Sequence, residues 1–215
     1  MKQLANHTDY PMSLGITVNY HKNGILLAYI ANKIPNIRLR KLLKIIYLID
    51  EHFMKMRGFP LTWFEYYAWA KGPVAPEVYA VKDRAFSEFV SLKRDENGKC
   101  IINSVQPHEF FIYKEMNEFS QSEISAIDRL LAEYKDKSAD ELSDITHVPD
   151  SIWSKIVDKN HISFDLQKTS GFPIPLTMLF EDGDYRHEVF EDAEWNMEYQ
   201  AMLNEKRNKR NVSAR

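Results

Sequence analysis

The most regular pattern of apolar and polar residues in the chain lies between Arg38 and Arg57. Apolar side chains recur there every three or four residues, which is the spacing of one face of an α-helix. They are Leu39, Leu42, Leu43, Ile46, Ile49 and Phe53, with Ile45 and Leu48 widening the face. Gly58 ends the pattern and Pro60 prevents its resumption. We therefore predict a long amphipathic helix at the centre of the fold.

Two sequence motifs predict where helices begin in the second half of the chain. Ser120 with Glu123, and Ser138 with Glu141, have the spacing of a capping box. In this motif the serine hydroxyl accepts a bond from the third helical amide while the glutamate reaches back to the cap residue. The first box precedes an apolar stripe of helical spacing, and the second precedes a shorter one.

Further helices are expected in four other parts of the chain. Asn23 is a candidate N-cap for a helix that Pro35 ends, and another helix should begin near Pro76. Asp150 or Ser151 is expected to cap a short helix that carries Trp153. The last helix is expected over roughly residues 187–208.

Strand signals are confined to a short middle section. Asn97-Gly98 lies between the apolar runs 89–92 and 100–102, which is typical of a β-hairpin, and residues 110–113 are expected to add a third strand. The aromatic segment 61–70 fits either a strand or a short helix. The predicted fold is mainly α: a compact helical domain around a central amphipathic helix, with a small antiparallel β-hairpin or three-stranded sheet.

These patterns divide the chain into three parts. Residues 1–22 form a polar N-terminal lead-in, residues 23–160 the helical domain, and residues 161–215 a C-terminal extension with a terminal charged helix. The single cysteine, Cys100, excludes an internal disulfide and a multi-cysteine zinc site. The N-terminus lacks the pattern of a signal peptide, and no apolar run approaches the roughly 20 residues of a membrane span. We expect a cytoplasmic protein that does not contact membranes.

Candidate chemistry is sparse. No nucleophile elbow, phosphate loop or dinucleotide turn is present, so we expect neither an enzyme nor a cofactor. Asp50, His52 and His147 could hold a metal if the fold gathered them, but Asp50 and His52 are two residues apart on a helix and point to different faces. Hydrogen-bonding anchors are the favoured interpretation, and no metal is expected.

Two further features have alternative interpretations. The basic start of the central helix, from Arg38 through Arg40 and Lys41 to Lys44, could contact nucleic acid, although a solvated face is favoured. The formal net charge of −3 gives no global electrostatic case for nucleic acid. The aromatic rings from Trp63 to Trp69 are expected to lie mostly in the core, with a partner-binding surface as the minority alternative.

Three stretches, in order, resemble a known family. They are 41–52 with 58–62, then 67–79, and finally 119–153 with Ser138, Glu141, Thr146, His147 and Trp153. Their order and spacing are similar to those of the SocA-like Panacea antitoxin domain, over roughly residues 24–158. The tail after about residue 160 lies outside the resemblance, and Lys44 stands where a smaller or apolar residue is expected. That departure suggests that this face of the helix is partly exposed.

The resemblance implies a helical domain that binds a cognate toxin protein and neutralises it. An alternative within the family is an adaptor that delivers the toxin to a ClpXP-type protease, for which the charged tail 205–215 is a candidate tether. Members also occur in prophages and mobile elements. No catalytic residue or cofactor is implied. The candidate partner-binding or motif residues are Lys41, Tyr47, Asp50, His52, Trp63, Lys71, Gly72, Pro73, His147 and Trp153.

Overall fold

A computed structural model describes residues 19–106 and 116–213. Within these ranges the chain forms seven α-helices: α1 (Tyr20–Lys33), α2 (Leu39–Arg57), α3 (Pro76–Tyr79), α4 (Gln121–Tyr134), α5 (Ala139–Thr146), α6 (Ile152–Lys159) and α7 (Arg186–Ser213). The strands are β1 (Ile37–Arg38), β2 (Tyr67–Trp69), β3 (Gly72–Val74), β4 (Val90–Arg94) and β5 (Cys100–Ser104). The prediction of a mainly α fold with a small antiparallel sheet is confirmed.

Helix α2 is the central element, as its apolar pattern predicts. Leu42, Ile45, Ile46 and Ile49 are fully buried, and α3, α4, α5 and the β3 strand all pack around the helix. Complete burial of one such side chain stabilises a fold by roughly 1.5–3 kcal/mol. The helix ends at Gly58, whose φ of 86° is left-handed and whose amide donates to the Met54 carbonyl. Glycine adopts that conformation without the steric cost of a side chain.

Helix α1 packs against this core but begins earlier than the sequence suggests. Asn19 caps it by accepting a bond from the Lys22 amide, so the prediction of Asn23 as the cap is wrong. Asn23 is buried inside the helix instead, and its side-chain amide donates to the Thr62 carbonyl over 2.9 Å. This bond ties α1 to the loop that follows α2.

The larger sheet has the strand order β1-β5-β4 and is antiparallel throughout. The expected hairpin is present, and the Asp95 carboxylate accepts bonds from the Asn97 and Lys99 amides in its turn. The third strand is β1, in which Ile37 pairs with Ile102. The strand expected at residues 110–113 lies outside the described residues.

The smaller hairpin, β2–β3, carries the second motif of the family pattern. Its outer edge is paired by a segment from the C-terminal part of the chain: the Ala68 amide donates to the Phe172 carbonyl, and the Ile174 amide donates to the Tyr66 carbonyl. Beyond this segment α7 returns to the end of α2, where Arg186 donates to the Lys55 carbonyl. Phe172, Ile174 and Arg186 therefore bring parts of the C-terminal extension into direct contact with the helical domain.

Candidate functional site

Asp50 is the hub of a buried hydrogen-bond network below the loop that follows α2. Its carboxylate accepts bonds from the amides of Leu61 and Thr62, at 2.8 and 2.9 Å, and from the hydroxyls of Thr62 and Tyr66. Burial raises the pKa of Asp50, and these four bonds oppose that rise by favouring the charged form. Because the side chain is fully enclosed, its role here is to hold the 61–66 loop on α2.

A second buried polar cluster surrounds Gly72 in the β2–β3 turn. A Cβ atom built on Gly72 would lie 2.2 Å from Lys44 Nζ, 2.8 Å from His147 Nε2 and 2.9 Å from Thr146 Oγ1. The φ of Gly72 is 98°, in the region that favours glycine. Glycine at this position therefore lets α2 and α5 approach the turn closely.

Lys44 is buried, with 1% of its surface exposed, and so the expectation of a partly exposed helix face is wrong. Its ammonium donates a long bond of 3.4 Å to the Pro73 carbonyl, and no described carboxylate pairs with it. Burial, with a contribution from Arg40, lowers the pKa of Lys44 to about 7. The flexible stem of lysine allows its ammonium to lie in the interior, at a position where the family resemblance implied a smaller or apolar residue.

His147 shares this interior. Burial and the nearby Lys44 lower its pKa to about 4, so the imidazole is neutral at physiological pH. Its Nε2 atom has no hydrogen-bond partner among the described residues. Its ring stacks on Trp153 at a centroid distance of 3.9 Å, and the Trp153 indole donates to the Trp69 carbonyl over 2.9 Å. These contacts join α5 and α6 to β2.

The hypothetical metal triad does not assemble. Asp50 bonds to the 61–66 loop, His147 stacks on Trp153, and His52 lies at the surface with its Nε2 atom 3.3 Å from Arg129 Nη2. Burial, with a contribution from the positively charged Arg129, lowers the pKa of His52. Within residues 19–106 and 116–213, no three histidine, cysteine or acidic side chains form a group that could hold a metal ion.

The other motif candidates divide into interior and accessible residues. Tyr47 and Pro73 are buried, and the Tyr47 ring packs edge-on against Tyr66. Trp63 is half-buried between the rings of Phe59 and Phe190. Lys41 is half-buried and donates to the Lys135 carbonyl, whereas Lys71 is exposed.

The basic start of α2 is only partly a solvated face. Arg38 pairs with Asp95 at 3.6 Å and Arg40 pairs with Asp140 at 2.8 Å. Together with the burial of Lys44, these contacts leave no continuous basic face along α2 for a nucleic-acid backbone. Arg38, Arg40 and Lys41 nevertheless contribute to one wall of a surface groove.

Comparison with known proteins identifies the class. A family model described as the antitoxin SocA-like Panacea domain matches residues 42–154, which is just over half of the chain. The chain belongs to this family, whose description suggests an antitoxin role without catalysis. No curated protein and no solved structure matches the chain significantly. In the part of the chain that the structure describes, no helix is both long and apolar enough to cross a membrane.

The matched segment contains the network residues from Lys44 and Asp50 to His147 and Trp153, whereas Asn23 lies before it. Several network members were not among the candidate site residues. They are Asn23, which was expected to cap a helix, Thr62 and Thr146, which belonged only to the family pattern, and Tyr66 and Ser143. Ser143 donates to the Lys71 carbonyl, and Thr146 lines the Gly72 turn. Polar residues on otherwise apolar helix faces were the available signal, because a buried polar group needs a partner.

Proposed function

We propose that this chain is an antitoxin that binds a cognate toxin protein in the cytoplasm and neutralises it by direct contact. The observation that carries the proposal is the match of residues 42–154 to the antitoxin SocA-like Panacea domain. The toxin would be the product of a neighbouring gene. Catalysis by the chain itself is not needed, since occupying the active surface of a toxin suffices.

The interior of the domain supports a binding role. Asp50, Gly72 and His147, three of the motif residues, are used to connect α2 with the 61–66 loop, the β2–β3 turn and α5. The polar side-chain atoms of Asp50 and His147 form these connections or are enclosed within them. These contacts hold the elements in fixed positions and so define the outer surface. Because that surface is already ordered, less entropy is lost when a partner binds.

We place the toxin contact on a surface named here the α2–α4 strip, consisting of His52, Met56 and Arg129. His52 and Met56 are four residues apart on α2 and so share one face. Met56 is 66% exposed, and Arg129 of α4 lies beside His52. An adaptable apolar side chain beside cationic and aromatic groups has the composition of protein-binding surfaces. The strip lies within the family match.

The first experiment is co-expression with the products of adjacent genes. A neighbour that stops growth alone should be harmless when this chain is present, and the two proteins should co-purify. Absence of both rescue and a complex for every neighbour would contradict the proposal. The lifetime of the toxin distinguishes direct neutralisation from delivery to a ClpXP-type protease, because only delivery shortens it.

The second experiment tests the strip with two matched variants. Met56→Asp introduces a charge into the strip and should weaken toxin binding at least about tenfold, because the apolar contact is lost and a carboxylate must be desolvated. Leu166→Asp is the control: Leu166 is fully exposed and lies outside the family match. Circular dichroism should show that both variants fold. Equal binding by Met56→Asp and the wild type would remove the strip from the proposal.

A further inference from the structure

A groove of about 1070 Å³ opens beside the N-terminal end of α2. Its walls come from α2, the β2–β3 turn, the β4–β5 hairpin and the loop before α5. Lysine and arginine supply nine of the lining residues, whereas aspartate and glutamate supply three. The groove is therefore strongly positive in a chain whose formal net charge is −3.

Carboxylates neutralise part of this positive charge. Arg38 pairs with Asp95, Arg40 pairs with Asp140, and Asp136 and Glu141 lie near Lys41. The lining cations still outnumber the lining carboxylates, and Arg94 and Lys168 donate to main-chain carbonyl oxygens, which carry no full negative charge. Between these cations lie apolar and aromatic side chains, including Leu43, Trp69, Val74 and Tyr79. The groove thus combines an apolar lining with a positive field.

The middle part of helix α7, residues 187–204, has the opposite character. It carries five carboxylates and no lysine or arginine, whereas Arg186 precedes it and four lysine and arginine residues follow between positions 206 and 210. Val189 on one side of the helix packs beside Gly58. On another side Trp195, Tyr199 and Met202 are 62%, 44% and 52% exposed, and the two aromatic rings stack on each other at 5.5 Å. Their spacing of four and three residues forms a single apolar stripe.

We propose that the chain self-associates, with the acidic aromatic stripe of α7 from one copy bound in the basic groove of a second copy. The occupant is argued from complementarity: carboxylates meet lysine and arginine, and the exposed rings meet the apolar lining. Reciprocal exchange of the two helices would form a closed two-fold dimer, the commonest symmetry of soluble assemblies. This inference depends on the groove and the helix of the chain itself, so it is independent of toxin binding.

The dimensions of the two surfaces are compatible. Residues 191–202 make up a little over three turns of helix, about 18 Å long and about 10 Å across. About half of such a cylinder has a volume of roughly 700 Å³, which is less than that of the groove. The stripe at residues 195–202 is far enough from the contact at Gly58 to leave that contact in place.

The test uses two double variants of the full chain. Lys82→Glu with Lys99→Glu reverses two exposed charges of the groove, and Glu191→Lys with Glu198→Lys reverses two exposed charges beside the stripe. Sedimentation equilibrium should show self-association of the wild type. Each variant alone should associate at least about tenfold more weakly, because like charges then face each other.

Mixing the two variants supplies the decisive measurement. In a mixed dimer an acidic groove meets a basic helix, and a basic groove meets an acidic helix, so equimolar mixing should restore association. Lys93→Glu with Lys155→Glu is the control, since both lysines are exposed and lie outside the groove while the net charge changes equally. Any one of four results would overturn the proposal. The wild type could be monomeric, either variant could associate as strongly as the wild type, the mixture could fail to associate, or the control could lose as much association as the groove variant.

Discussion

Lys44 Nζ and His147 Nε2 converge on Gly72, at distances of 2.2 and 2.8 Å from the position that a Cβ atom would occupy there. Two nitrogen-bearing side chains from distant parts of the sequence thus meet above one glycine. Neither forms an ion pair with a carboxylate of the described residues, and burial lowers the pKa of both. In this turn, the close packing of the side chains therefore affects how readily Lys44 and His147 bind a proton.

Gly72→Ala should destabilise the fold by about 2–4 kcal/mol, from left-handed backbone strain together with overpacking. Gly98→Ala is the matched control, since Gly98 also has a positive φ, 71°, but nothing lies within 4 Å of its Cβ position. It should cost about 1 kcal/mol from strain alone. Urea denaturation measures both values, and an equal loss in the two variants would contradict the crowding at Gly72.

Lys44→Met should raise stability at pH 6 to 7, because it removes a buried ammonium without a counter-ion. The folded pKa of Lys44 is about 7, below its usual 10.5. Between those values the unfolded chain binds the proton and the folded chain does not. Wild-type stability should therefore rise with pH across this window, by up to about 1.4 kcal/mol per unit.

The measurement is the difference in unfolding free energy between the wild type and Lys44→Met from pH 6 to pH 10. The variant's advantage should shrink as pH rises, since the wild-type lysine becomes neutral. Lys93→Met, at an exposed position, should show no such trend. Parallel curves for wild type and Lys44→Met would mean that Lys44 titrates as an ordinary lysine.

Asp50→Ala should cost about 3 kcal/mol or more, because two amides and two hydroxyls lose a buried acceptor together. Thr62→Val removes one hydroxyl and should cost about 1–2 kcal/mol. Thermal unfolding monitored by circular dichroism would give both values. A cost for Asp50→Ala no larger than that for Thr62→Val would show that the main-chain bonds of the loop are replaced by water.

The elements that could be predicted are those whose signals are local. The stripe of α2 fixed its length to within one residue, with the helix observed from Leu39 to Arg57. Both capping boxes, at Ser120 and Ser138, form as expected. The Asn97-Gly98 turn joins β4 and β5. In each case residues within four positions of one another determine the geometry.

The features that escaped prediction depend on distant contacts. Strand β1 is two residues long and exists because β5, more than sixty residues later, pairs with it. Asn23 is buried because Thr62 supplies its partner, and Lys44 is buried because the Gly72 turn leaves room for an ammonium. None of these partners is visible in a local window of sequence. The family resemblance was enough to select the candidate residues. It could not predict which of them are buried anchors and which are accessible.

The pairing of residues 168–174 with β2 has a practical consequence for anyone who isolates the family module. A chain cut at residue 160 would keep every residue of the family match but would strip the partner from the Ala68 amide and the Tyr66 carbonyl. An open strand edge of this kind invites pairing between molecules. Such a truncated protein should aggregate, and its failure to bind a toxin would then say nothing about the toxin-binding surface.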